Sequence, residues 1–291
     1  MANAITKFKK YIDLLDEVYK KSSLTGDLDG DATLVRAGAN ANEIIIPKMS
    51  MDGLGDYSRN SGYVSGSVTL TNETVTFNYD RGRKFNVDAM DNEETAGVAF
   101  GKLSSEFIRT KAVPEVDAFR FATYAGTANI SKVSAGVTYA DGNEWLAGIV
   151  GATNKMDEDE VPQENRILYI TPTGYNSIMA VDSYKSKEVL GGFSKVVKVP
   201  QSRFYTMIDL LDGTTGGEEA GGFKKATEGK DINFMIIQKG AVLQYPKHKV
   251  NKVITPEENQ NNDGWMFFFR EYGLADVYEN KTAGIYLSHK A

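Results

Sequence analysis

The sequence predicts an α+β fold, and three observations carry that expectation. Strand-like runs cluster around a few helices without the regular alternation of a parallel βαβ sheet. Asp91 to Gly126 has the pattern of a rod-like helix. Residues 68–79 alternate apolar and polar side chains with period two, the mark of a β-hairpin.

At the start of the chain, Ile5, Phe8, Ile12, Leu15 and Tyr19 recur at helical spacing. Residues 5–21 therefore read as an amphipathic helix docked on its own domain or on a neighbour. The next stretch, GDLDGDATLVRAGANANE, reads as an extended arm. Asp27, Asp29 and Asp31 imitate the start of a calcium loop, but the glycine sits at 30 instead of 32 and no glutamate closes the loop at 38. Glu43–Met49 is a short strand, followed by the loop-like GLGDYSRNSGYVSG. Val68 and Leu70 share one face; across a turn at Asn72–Glu73, Val75, Phe77 and Tyr79 share another. A two-stranded hairpin is marginal by itself, so this one needs a further surface to lie on.

In the helix, Asp91 and Glu94 form an acidic capping pattern. Ala96, Phe100, Leu103 and Phe107 line one face. Arg109 and Lys111 sit where a first segment ends, and Pro114, with Glu115 and Asp117 behind it, starts a second. A proline in mid-helix costs about 3 kcal/mol, which predicts a kink near Val113. Gly126 is the stop. The rod spans about 45–50 Å at 1.5 Å per residue, so it must pack on something outside its own core.

Glu144–Met156 is a helix, followed by a solvated acidic run, DEDEVPQEN. Arg166–Thr171 is a buried-type strand, Pro172 opens another helix, and Lys195–Val199 is a strand ending at Pro200. In the glycine-dense segment 213–230, Gly216 and Gly221 have phosphate-loop spacing, but Gly222 and Phe223 stand where Lys and Ser or Thr belong. It reads as a mobile loop. Strands follow at Ile232–Gln238, Ala241–Tyr245 and Lys249–Ile254. PEENQNNDG is a polar hairpin tip from which WMFFF returns, and Leu274–Tyr278 and Gly284–Leu287 finish the chain. Residues 130–245 read as a domain inserted between the long helix and the last strands.

Composition narrows the chemistry. There is no cysteine, and His248 and His289 are the only histidines, which nearly removes triad nucleophiles and most zinc sites. A net charge of −6 argues against a surface built to grip nucleic acid. No apolar run approaches the ~20 residues of a membrane span. A carboxylate-dependent hydrolase using Asp157, Glu158 or Asp159 is the alternative from another class, and it lacks an aromatic sugar platform nearby.

GLGDYSRNSGYVSGSVTLTNETVTFNYDRGRKFNVDAMDNEET and the helix with AVPEVDAFRFATYAG resemble the major capsid protein of tailed bacteriophages, the Hong Kong 97-like fold. ILYITPTGYNSIM, VVKVPQSRF and DGWMFFFREYGLADVYENKTAGIY continue the resemblance in the same order. It implies an N-terminal arm (1–49), an extended E-loop hairpin (50–88), a peripheral domain with the spine helix (89–130 and 246–291) and an axial domain (131–245). It also implies a structural shell protein with no catalytic, cofactor or metal site.

The resemblance implies that the E-loop lies across the neighbouring subunit's spine helix. Contact candidates on the loop are Asp56, Tyr57, Arg59, Val75, Phe77, Tyr79, Arg81 and Arg83, with Asp80 as a further pairing residue. On the helix they are Glu94, Glu106, Arg109 and Glu115, and at the peripheral hairpin tip Glu257, Glu258, Asn259 and Asn261. The glycine-dense loop is expected near the capsomer axis and the tip near the local threefold.

Implied partners are further copies in hexamers and pentamers, a portal, a decoration protein, and packaged double-stranded DNA held without specific binding. No membrane is involved. The expected location is the virion capsid, assembled in the bacterial host cytoplasm. No lysine lies between Lys48 and Lys84, so a covalent weld through an E-loop lysine is not expected. The arm begins almost at once, which suggests a separate scaffolding protein or prior cleavage. An encapsulin-like compartment, with Ile5, Phe8 and Ile12 lining a cargo groove, is the second reading within the fold.

Overall fold

A computed structural model describes residues 23–30, 36–37, 43–90, 98–133, 135–181, 183–260 and 262–291, with side chains for all of these except 36–37, 98–102 and 183. The expected helix at 5–21, the cap at Asp91 and Glu94, and Asp31, Ala96 and Asn261 lie outside the described residues.

β1 (Arg36–Ala37), β2 (Glu43–Met51) and β3 (Val68–Thr76) form an antiparallel sheet. This corrects the expected hairpin. β3 runs unbroken through Asn72–Glu73 and pairs with β2, from Glu43 opposite Thr76 to Met51 opposite Val68, so the loop is 52–67. The apolar residues change parity at that point, even at Val68 and Leu70, odd at Val75. Successive strand side chains point to opposite faces, so the change of parity switches the apolar face and marks no turn.

β4 (Tyr79–Asp88) leads to the spine: α1 (Val98–Phe107), a π-helical turn at Ile108–Ala112, and α2 (Val113–Gly126). Pro114 has no N–H to give to the carbonyl four residues back. The backbone widens instead, and the Val113 N–H donates to the Ile108 carbonyl. The kink expected near Val113 is thus a π turn within a continuous helical run.

β5 (Ser131–Lys132), α3 (Gly142–Glu158), β6 (Arg166–Ile170), α4 (Pro172–Met179), α5 (Ser183–Gly191) and β7 (Lys195–Lys198) follow. Asp141 caps α3 by accepting from the Asn143 and Glu144 N–H groups. Then come β8 (Ile208–Leu211), β9 (Gly222–Lys225), β10 (Ile232–Gln238), β11 (Val242–Ile254), β12 (Gly264–Val277) and β13 (Ile285–His289). α5 had no counterpart in the sequence reading. Where four strands were expected between 241 and 278, β11 and β12 are two long ones, β11 bending at Pro246/His248. β11 lies at a sheet edge, where a proline is tolerated.

The central sheet runs β5-β13-β10-β6-β7. α2 packs Phe121 and Tyr124 on one face, against Tyr169 and Met235. α3 packs Trp145, Ile149 and Met156 on the other, against Leu168, Ile170 and Phe234. Covered on both sides, β6 is buried at every residue. α3 and α4 approach so closely that a Cβ at Gly174 would stand 2.5 Å from the Trp145 ring. A second sheet, β11-β12-β4, carries Phe267 and Phe269 under Ile108 and Val113 of the spine. One rod therefore serves two cores. β4 is a strand of this second sheet, and β13 is a strand of the central one.

Candidate assembly surfaces

The projecting ribbon has two faces set by its register. On one, Ile44 and Val75 are buried at the base against Leu243 and Leu274. Lys48 bridges Glu73 at 3.2 Å and also reaches Glu279. On the other face, Met49 stands opposite Leu70 and Met51 opposite Val68, and these four are 59–67% exposed. Single exposed apolar residues are ordinary; four in two adjacent rows at the end of a ribbon are a patch.

The loop beyond is closed by its own contacts. Asp52 accepts from the Ser67 N–H at 2.7 Å and hydroxyl at 2.9 Å, which holds its carboxyl below the usual range. Tyr57 and Tyr63 meet edge-on at 4.9 Å, and Leu54, Tyr63 and Val64 are open to solvent. Asp56 and Arg59 are exposed here as well.

A cleft of about 670 Å³ lies between α1, the π turn, β4 and the β8–β9 hairpin. Phe85, Leu103, Phe107 and Phe269 line it with apolar surface, and Arg83 and Lys111 contribute cations. Arg81 pairs with Glu115 at 2.7 Å and donates to the Leu211 and Gly222 carbonyls; Arg83 donates to the Glu219 carbonyl. The glycine-dense segment, read as a mobile loop, is thus tied to β4 and carries β9.

These contacts place several of the expected inter-subunit residues against groups of their own chain. Val75 and Tyr79 are buried in their own chain, Tyr79 donating to Glu115 at 3.2 Å, and Phe77 stacks on Tyr272 at 5.0 Å. Arg81 meets Glu115 within one molecule, and Glu106 pairs with Arg109 one turn on at 2.6 Å. Sequence alone does not say whose acid meets whose base. Glu94 lies outside the described residues.

Asp80 takes two hydrogen bonds from Arg270, at 2.8 and 2.6 Å, which hold its carboxyl below the ordinary range. A depressed carboxylate stabilises the fold above its unfolded pKa, and that contribution is lost as pH falls through the folded value. The pair is exposed, so the effect is small.

The sequence reading missed an anchor for the base of the arm. Asp117 on α2 is fully buried and accepts from the Thr25 hydroxyl at 2.7 Å, the Leu24 N–H at 3.1 Å and the Ser23 hydroxyl at 3.2 Å. Arg203 pairs with it at 3.1 Å, and Arg120 donates to Thr25 at 2.8 Å. Gln244 donates to the Thr25 carbonyl and to Asp29. Leu28 then enters the central core. Asp27 pairs with Lys195, so the first two aspartates of the calcium-like run serve as ties.

Asp157 and Asp159 pair with Arg166 and Lys155 at 2.7 Å, as ion pairs at the end of α3. Among the described residues no cluster of three or more His, Asp or Glu could hold a metal, and no helix is long and apolar enough to cross a membrane.

No protein-family model and no curated protein matches the chain. Solved structures do. One from Mycobacterium phage Che8 superposes with a TM-score of 0.59 at 11% identity, covering 86% of this chain and 85% of that one. The mature capsid of bacteriophage PhiM1 gives 0.54 at 11% identity, with 88% and 84% covered. A virus-like particle from Pyrococcus furiosus gives 0.58 at 12% identity, with 96% and 98% covered. The α+β architecture read from the sequence is therefore a known one: the chain has the fold of tailed-phage capsid subunits.

Proposed function

We propose that this chain is a major capsid protein: a structural subunit, without chemistry of its own, that tiles into an icosahedral shell around phage double-stranded DNA. The observation that carries the reading is the far end of the ribbon. Met49, Met51, Val68 and Leu70 are presented to water on a ribbon whose base, at Ile44 and Val75, is buried in its own chain. A second copy offers the complement. Its spine cleft is apolar in the floor, and its Arg83 and Lys111 suit Asp56 of the incoming loop. Repetition of this contact forms capsomers, and capsomers a shell. A scaffolding protein, a portal and a decoration protein fit as partners in that assembly, and the virion as its location.

The test is Met51→Glu with Leu70→Glu. Exposed substitutions away from cores, caps and buried networks change stability by about ±0.5 kcal/mol or less, so the subunit's melting will change little. Shell yield, counted in negative-stain micrographs of the full chain, will fall by about tenfold or more. Normal shells from this variant would refute the ribbon's role.

The superposition on the Pyrococcus furiosus particle subunit, which takes in 96% of this chain and 98% of that one, supports a second reading, a compartment that encloses cargo other than a genome. Copurification of a protein cargo, in place of DNA-filled heads or empty procapsids, would select it.

A further inference from the structure

The β11-β12-β4 sheet has a second face, turned away from the spine, and it forms a shallow groove of about 560 Å³. Strand register sets its rows: Lys84, Phe268 and Lys252 stand abreast, with Gly82, Arg270 and Val250 in the next row. Gly82 lets β4 and β12 approach closely here, since a Cβ there would stand 2.7 Å from the Phe269 carbonyl oxygen. Phe268, Val250 and Ile254 make a half-buried apolar floor. The rim is cationic. Arg270 is tied to Asp80, whereas Lys84 and Lys252 are exposed and have no carboxylate partner among the described residues. This is a local excess of positive charge on a chain whose net charge is −6.

The other end of the same hairpin has the opposite sign. Residues 255–263 hold Glu257, Glu258 and Asp263 and no lysine or arginine. All three acids are exposed, and none pairs with a cation among the described residues. The tip keeps its shape through Asn259, which donates to the Gly264 carbonyl at 2.8 Å, and through Glu258, whose N–H reaches Thr255. Within one molecule none of these acids pairs with Lys84 or Lys252 among the described residues.

We propose that the groove on β11-β12-β4 receives the acidic hairpin tip of a second copy, Glu257 and Glu258 meeting Lys84 and Lys252. The proposal rests on the shell reading and adds to it a contact independent of the ribbon. The two surfaces differ, so the contact is head-to-tail and closes into a ring when the rotation between copies permits. Such rings join neighbouring capsomers. Both partners are at the surface, so the junction weakens as salt rises.

Charge reversal tests this in the full chain, with shells measured by sedimentation and electron microscopy. Lys84→Glu with Lys252→Glu places like charges together, and so does Glu257→Lys with Glu258→Lys. Each double variant will lower shell yield by about tenfold or more, while far-UV circular dichroism and the subunit melting curve stay as in the wild type. The quadruple variant restores opposite signs and will recover yield to near the wild-type level. Double variants that assemble normally would overturn the contact. So would a quadruple variant no better than the doubles, an outcome that assigns the groove to DNA or to another acidic protein. Absence of shells from the wild type would remove the shell reading and this contact with it, whereas intact shells from the doubles remove the contact alone.

Discussion

Replacing Asp117 by alanine will lower the unfolding free energy of the subunit by about 3–5 kcal/mol, the cost of breaking a buried ion pair from one side. The carboxylate is fully buried on α2 and collects bonds from three consecutive residues of the arm as well as from Arg203. Without it, the guanidinium of Arg203 loses its carboxylate and the Leu24 N–H loses its acceptor. Unpaired buried groups of this kind cost more than the bond itself was worth. Arg120 and Gln244 both hold Thr25, so the loss spreads to Asp29 and to Leu28 in the core. A urea titration is the measurement, with the slope compared to confirm that the denatured state is unchanged. Asp117→Asn, which keeps the shape and removes the charge, will fall between alanine and wild type. A loss below about 1 kcal/mol for alanine would show that the arm is held elsewhere.

Phe121→Ala will cost a similar amount, about 3–5 kcal/mol, for a different reason. Phe121 has no exposed surface and sits where the spine crosses the central sheet. Its ring meets Tyr169 at 5.1 Å and Phe204 at 4.9 Å, both edge-to-face. Truncation removes both aromatic contacts and leaves a cavity whose walls are helix and sheet, neither free to collapse. Phe121→Leu retains much of the volume and will cost clearly less. The melting temperature of the purified subunit reads both. If alanine and leucine behaved alike, the site would be adaptable and the junction less rigid than its packing indicates.

What was legible in the sequence was whatever periodicity writes down. Residues 167–170 of β6 and 234–237 of β10 are continuous apolar runs because helices or neighbouring layers cover them, and α3 shows its buried stripe at Trp145, Ile149 and Met156. Pro114 announced a disturbance of the spine, though not that a π turn would absorb it. α5 was missed because its inward residues, Ser186, Val189 and Leu190, are too few to make a pattern. The arm anchor was missed for another reason. Thr25, Asp117, Arg203 and Gln244 are isolated polar residues in distant parts of the chain, and only the fold brings them together. The ribbon failed on interpretation: the parity change at 72–73 was visible and was read as a bend in the chain when it is an exchange of faces.

The ribbon's exposed face also has a chemical consequence. Two of its four apolar residues are methionines, 59% and 66% exposed in the single chain, and accessible thioethers are oxidised to sulfoxides. In the proposed assembly a thioether that becomes polar would no longer suit an apolar seat, so a pool of free subunits would age toward incompetence while copies in a lattice would be shielded. Peroxide reactivity at Met49 and Met51, followed by mass spectrometry, would then be a clock that stops when a molecule finds its neighbour.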